Sequence, residues 1–113
     1  MNFDSPVIRE ATLNKSIAID LDGTLAYFDG WKGIEHIGDP IPSVVKRLKE
    51  KKNEGFDIKI FSARCMDLRA KKYIGDWLAH YDIPYDDITN IKDSSMKEIW
   101  DDLAVAVPRN EGF

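Results

Sequence analysis

Three features of the chain predict an α/β domain built on a mostly parallel sheet. Short apolar runs rich in isoleucine alternate with two longer stretches of helical period. Their order is strand, helix, strand, helix, strand, the pattern of parallel strands joined by right-handed crossovers. At 113 residues the chain holds one such core and little more.

Each element has its own signal. Residues 1–15 are polar and broken by Pro6, and form an N-terminal arm; residues 16–113 form the single domain. "SIAID", residues 16–20, is the first strand. Residues 23–39 hold Gly23, Gly30, Gly33 and Gly38 with no sustained period, which predicts a loop. Pro40 and Pro42 open a helix that turns Val44, Val45 and Leu48 to one side and stops at "NEG", residues 53–55. "FDIKIFS", residues 56–62, is the second strand. Asp67 is the expected N-cap of a helix carrying Ile74, Trp77, Leu78 and Tyr81 inward, which ends before Pro84. "DITNI", residues 87–91, is a weak third strand. "KEIWDDLAVAV", residues 97–107, holds one or two more, split near Asp101 and Asp102.

Composition narrows the setting. A hydrophobic fraction of 43% with 32% charged residues is that of a soluble globular chain rather than a disordered one. The net charge of −4 does not favour a broad nucleic-acid face, and the basic stretch from Lys46 to Lys52 is broken by Leu48 and Glu50, as on the solvated side of a helix. Cys65 is the one cysteine, so no internal disulfide forms, and a reducing, cytoplasmic setting is expected. A cysteine-phosphatase loop would need arginine six residues after Cys65, where Lys71 stands. No run approaches the ~20 apolar residues of a membrane span.

In open parallel sheets the loops at the carboxyl ends of the strands build the site. The first predicted strand ends at Asp20, the second at Ser62, and the third precedes Lys92; Asp101 ends the fourth. Two carboxylate clusters, a hydroxyl and an ammonium therefore converge on one rim. Close carboxylates repel and lose hydration, which points to a divalent cation as their partner and an oxyanion as the cation's partner. Mg2+ would draw on Asp20, Asp101 and a backbone carbonyl near Asp22. Lys92 would neutralise phosphate charge, and Ser62 with the backbone amides after Asp20 would hold its oxygens. An aspartate against phosphorus is a competent nucleophile, and a second, two residues on, can serve as acid and base.

These residues match a known pattern. "DLDGTL" (20–25) resembles the first motif of the haloacid dehalogenase superfamily, Asp-x-Asp-Gly-Thr after an apolar strand. "IKIFSAR" (58–64) is similar to its second motif. "TNIKDSSMKEIWDDLAV" (89–105) resembles the third and fourth, a lysine and then paired aspartates. The likeness spans about residues 16–107. It implies a Rossmann-like three-layer sandwich and a Mg2+-dependent phosphohydrolase that cleaves phosphomonoesters through an aspartyl-phosphate. Asp20 would be the nucleophile, Asp22 the acid/base and Lys92 the stabiliser of the intermediate. Asp20, Asp22, Asp101 and Asp102 would form the metal site. Leu21, Gly23, Thr24, Ser62, Ala63 and Arg64 would surround the phosphate, with Arg64 read equally well as a plain salt-bridge partner. Small relatives often carry proline after the motif-three lysine, where this chain has Asp93, and Lys97 is the competing lysine.

Two further readings stay open: a non-catalytic module of the same fold that binds phosphate or protein, and a phosphatase for nucleotides or nucleic-acid ends. Between the first strand and the first helix there is room only for a loop, so no cap domain is expected. The substrate is a phosphorylated molecule of unknown identity, covered by loop 26–39 or by a second copy of the chain. The connection over residues 92–97 reaches ~20 Å, enough to cross the sheet but not to form a long helix. The sheet face under it is therefore expected to need cover from the N-terminal arm, the C-terminal tail or another chain.

Overall fold

The structure is a computed structural model, and residues 12–113 are described. Four strands, β1 (Ser16–Asp20), β2 (Asp57–Phe61), β3 (Asp87–Thr89) and β4 (Met96–Trp100), form one sheet in the order β3-β2-β1-β4. Every pairing is parallel. Helix α1 (Pro42–Asn53) joins β1 to β2, and α2 (Ala70–His80) joins β2 to β3. Both crossovers step the same way along the sheet, and the two helices pack into one core cluster on one face, as right-handed crossovers require. The α/β, Rossmann-like architecture predicted from the sequence is thus present.

Alternation along the strands explains the packing. Ile17 and Ile19 of β1 and Ile58 and Ile60 of β2 are in register and fully buried, and cluster with Leu48 of α1 and Ile74, Trp77 and Leu78 of α2. Helix α1 starts at Pro42 with no side-chain cap, carries Lys51 and Lys52 in its last turn, where the helix dipole favours cations, and is followed by Gly55 at φ +101°. Its basic residues Lys46, Arg47 and Lys49 are exposed, as expected of a solvated helix side.

Three local expectations differ. Between β2 and α2 lies a short 3-10 helix, Ala63–Met66, and α2 begins only at Ala70. Asp67 does not cap α2; its carboxylate accepts from the Arg69 amide (2.9 Å) in a local turn that competes with helix continuation. Beyond Trp100 no strand forms among the described residues. β4 stays the sheet edge, and Leu103 to Val107 pair with no strand. Residues 101–113 are exposed throughout, so the C-terminal tail does not cover the sheet, and of the N-terminal arm residues 1–11 lie outside the described residues.

The face opposite the helices is crossed by residues 90–95, without a helix. Lys59, between the inward Ile58 and Ile60, points to this face and pairs with Asp93 (2.5 Å). Ser95 then joins β1 through its carbonyl, which accepts from the Ser16 amide (2.8 Å), and through a hydroxyl pair at 2.8 Å. Ser16 and Ala18 are buried, whereas Lys59 keeps part of its side chain in solvent. Asp93, an unpaired negative charge in the sequence, is thus a fastener. The Lys59 ammonium, then the Ser95 hydroxyl and amide, hold its carboxyl down at about 2. This support is present above the ordinary value of 3.8 and is lost as pH falls through about 2. In Asp93→Ala the Ser95 amide is expected to exchange with solvent faster at pH 7 while that of Ile60 keeps its protection; equal protection at Ser95 would show that the charge pair does not hold the strap.

Where the strap ends, β4 carries an irregularity. Ser16 pairs with Met96 but Ile17 pairs with Glu98, so Lys97 is an extra residue bulged out of the ladder.

Candidate active site

The register aligns the strand ends. Asp20 pairs with Phe61, Thr89 pairs with Phe61, and Ile19 pairs with Trp100. One residue further along each chain, Ser62 and Asp101 reach the same rim as Asp20. Oxygens of Asp20, Asp101 and Asp102 lie within 4.8 Å of one another, the one such acidic group among the described residues. Thr24 joins them: its hydroxyl is 3.1 Å from Asp102 Oδ1 and 3.4 Å from Asp20 Oδ2. The Asp20 carboxyl is pushed up to about 7, chiefly by burial, then by the hydrogen bond it shares with Asp102 and by the negative charges of Asp101 and Asp102; the Leu21 amide opposes this.

The turn after Asp20 makes this approach feasible. Gly23 sits at φ +88°, and a Cβ there would lie 2.6 Å from Asp102 Oδ2. Leu21 O gathers the amides of Leu25 (3.0 Å) and Ala26 (2.9 Å), which closes the chain back on itself. The Gly23 amide donates to Ala26 O (2.8 Å) and that of Thr24 to Leu21 O (3.3 Å). Both amides therefore serve the turn in this conformation, where the sequence assigned them to phosphate. Gly23→Ala is expected to cost about 1–2 kcal/mol from the left-handed backbone alone, and to push Asp102 off Thr24. A denaturation midpoint equal to wild type would show that the turn accepts a side chain.

Asp22 faces elsewhere. Arg64 donates to both its oxygens, Nε to Oδ2 at 2.7 Å and Nη2 to Oδ1 at 2.8 Å, in the two-pronged geometry that guanidinium favours. The same guanidinium donates to Ile34 O (3.2 Å) and His36 O (2.9 Å), and its carbon lies 4.7 Å from the centre of the Trp31 ring. Of the two roles the sequence left open for Arg64, this conformation adopts the salt bridge, and it is buried, with 5% of the side chain exposed. Trp31 and Phe28 are exposed; Trp31 contributes by stacking on this cation.

Ser62 is buried and caps the 3-10 helix, its hydroxyl oxygen accepting from the Arg64 amide (3.1 Å); its own proton is left for another acceptor. Ala63 is exposed at the start of that helix. Lys92 is exposed on the strap, three residues beyond β3. Lys97 lies at the amino end of β4, beside Ser16 and away from Asp20, with Nζ 3.5 Å from Ser94 O.

Two features escaped the sequence. Thr24 had a signal, since threonine follows the turn glycine and is expected beside the phosphate; its link between Asp20 and Asp102 did not follow from that. The groove beside the cluster, where Arg47 lies over Trp100 at 5.5 Å, had none, because those residues are far apart in the chain.

The fold and rim define an α/β domain with an acidic, oxygen-rich centre at the carboxyl ends of its strands, an arrangement compatible with the haloacid dehalogenase architecture. No protein-family model matches the chain, and no curated protein matches it. Among solved structures it is similar to a chain of a Pnkp1/Rnl/Hen1 complex, at 25% identity and a TM-score of 0.57. The match covers 76% of this chain but only 31% of that one. No helix among the described residues is long and apolar enough to cross a membrane.

Proposed function

We propose that the protein is a phosphomonoesterase of the haloacid dehalogenase type, dependent on Mg2+. The observation that carries this is the convergence of Asp20, Asp101 and Asp102 within 4.8 Å, at the rim where β1 and β4 end. The donor set fits a hard dication: all ligands are oxygen, and the Asp20 carboxyl is pushed up to about 7 by burial first and then by neighbours whose repulsion a cation would offset. Asp20, Asp101 and Asp102 would hold the ion, with Asp22 contributing through its backbone carbonyl. When bound, it would neutralise charge on the phosphoryl oxygens.

The residues then divide the work. An Asp20 oxygen attacks phosphorus, the bond from phosphorus to the leaving oxygen breaks, and Asp22 gives that oxygen its proton. Water next attacks the phosphorus of the aspartyl-phosphate, Asp22 takes a proton from it, and inorganic phosphate leaves with Asp20 restored. For this Asp22 must exchange Arg64 for the substrate. Ser62 supplies its free hydroxyl proton, and Lys92 its charge, to phosphate oxygens.

The test is turnover of a generic aryl phosphate with and without Mg2+. Metal-dependent turnover supports the reading, and none on any phosphomonoester, with the fold intact, overturns it. One observation favours a second reading. Asp22 has both oxygens engaged by Arg64, which suits a non-catalytic module that binds phosphate or protein. Phosphate binding without turnover would favour that module.

A further inference from the structure

We propose that the groove beside the acidic cluster holds a second phosphate, carried on the leaving group of the substrate. This rests on the phosphatase reading above. A cavity of about 600 Å³ opens between the start of α1 and the end of β4, within the size range of small-molecule sites. Asp101 and Asp102 line it on the side of the acidic cluster, and Val44, Ile99 and Trp100 supply apolar wall.

Arg47 is the one cation that lines it. Among the described residues Arg47 makes no ion pair; its guanidinium lies over the Trp100 ring, 5.5 Å from the centroid. Stacking holds the guanidinium on a flat support and leaves its N–H edge for a ligand. Ser43, one turn earlier on α1, adds a hydroxyl to the same groove.

Charge decides the ligand class. A leaving group bearing a second phosphate meets three carboxylates at the rim and is repelled by them. An arginine with no ion-pair partner among the described residues offsets that repulsion and offers two parallel donors to the phosphate. A neutral leaving group would gain nothing from Arg47. The preferred substrates are therefore phosphomonoesters that carry another phosphate within reach of the groove, from nucleotides or from phosphorylated sugars.

The experiment compares kcat/KM for adenosine 3′,5′-bisphosphate with both adenosine monophosphates, and for a hexose bisphosphate with its monophosphate. A p-nitrophenyl phosphate control with Mg2+ reports whether the centre works at all. In at least one pair the bisphosphate is expected to be favoured about tenfold, and the pair that shows it identifies the source. In Arg47→Gln that ratio falls to about one, with Arg47→Lys between. In parallel, the bisphosphate is titrated into Asp20→Asn by tryptophan emission, and the response disappears in Asp20→Asn with Trp100→Phe. Ratios near one in both pairs, or a ratio untouched by Arg47→Gln, overturn the inference while control turnover leaves the phosphatase reading standing. No turnover of the control or of any of the nucleotide and sugar phosphates overturns the phosphatase reading, and this inference with it.

Discussion

Asp20→Asn is expected to lower Mg2+-dependent phosphatase turnover by about a thousandfold or more, as removal of a nucleophile does, and to make the metal-free protein more stable at neutral pH. The second effect follows from the site. The Asp20 carboxyl is held at about 7, against an ordinary value of 3.8, so the folded state binds this proton more tightly than the unfolded chain. Its contribution to stability is complete below 3.8 and is lost as pH rises through about 7. Solvent screens much of the cost at a half-buried position, which leaves on the order of 1–2 kcal/mol. Melting temperature of the metal-free protein should therefore fall between pH 4 and pH 7.5, and the fall should be shallower in Asp20→Asn. Equal slopes would show that Asp20 is not held protonated by its surroundings. Unchanged turnover in the variant would remove Asp20 from the chemistry.

Arg64→Leu is expected to be strongly destabilising. It strands the Asp22 carboxylate, 20% exposed, without its partner and removes the donors that hold Ile34 O and His36 O. Breaking a buried pair from one side costs about 3–5 kcal/mol, against a total of roughly 5–15 kcal/mol for a domain. Arg64→Lys should recover little, because an ammonium cannot span two carboxylate oxygens and the loop carbonyls together. Asp22→Leu with Arg64→Leu should cost less than the sum of the two single changes, since each removes the penalty left by the other. Urea denaturation of the four variants checks this. A loss under about 1 kcal/mol in Arg64→Leu would mean the pair behaves as a surface contact.

The elements that the sequence made legible are those with a local cause. Isoleucine runs specified β1 and β2, and the spacing of Ile74, Trp77 and Leu78 specified α2. The rim followed from strand ends alone, which is why Asp20 and Asp101 could be paired across 81 positions of chain. What stayed hidden depends on distant partners. Loop 26–39 has no period to read, and its course is fixed by Arg64 reaching Gly33, Ile34 and His36 and by the Trp77 indole donating to Gly38 O. The run from Leu103 to Val107 has the composition of a strand, yet strands need a neighbour and none adjoins it among the described residues. Asp67 is a good cap by type, but the helix starts at Ala70 and the carboxylate accepts from the Arg69 amide before it.

The extra residue at Lys97 sets the phase of everything after it. Without the bulge, a ladder running evenly through Lys97 would lead from Met96 beside Ser16 to Trp100 beside Asp20, and the acid would fall one position beyond the rim. With it, Trp100 stops at Ile19, and the next residue, Asp101, comes level with Asp20. Because side chains alternate between faces, that single step also turns the indole toward the helices and the carboxylate toward the opening. A ladder that took Lys97 in rather than bulging it out would leave the composition of the centre untouched and dismantle it by parity.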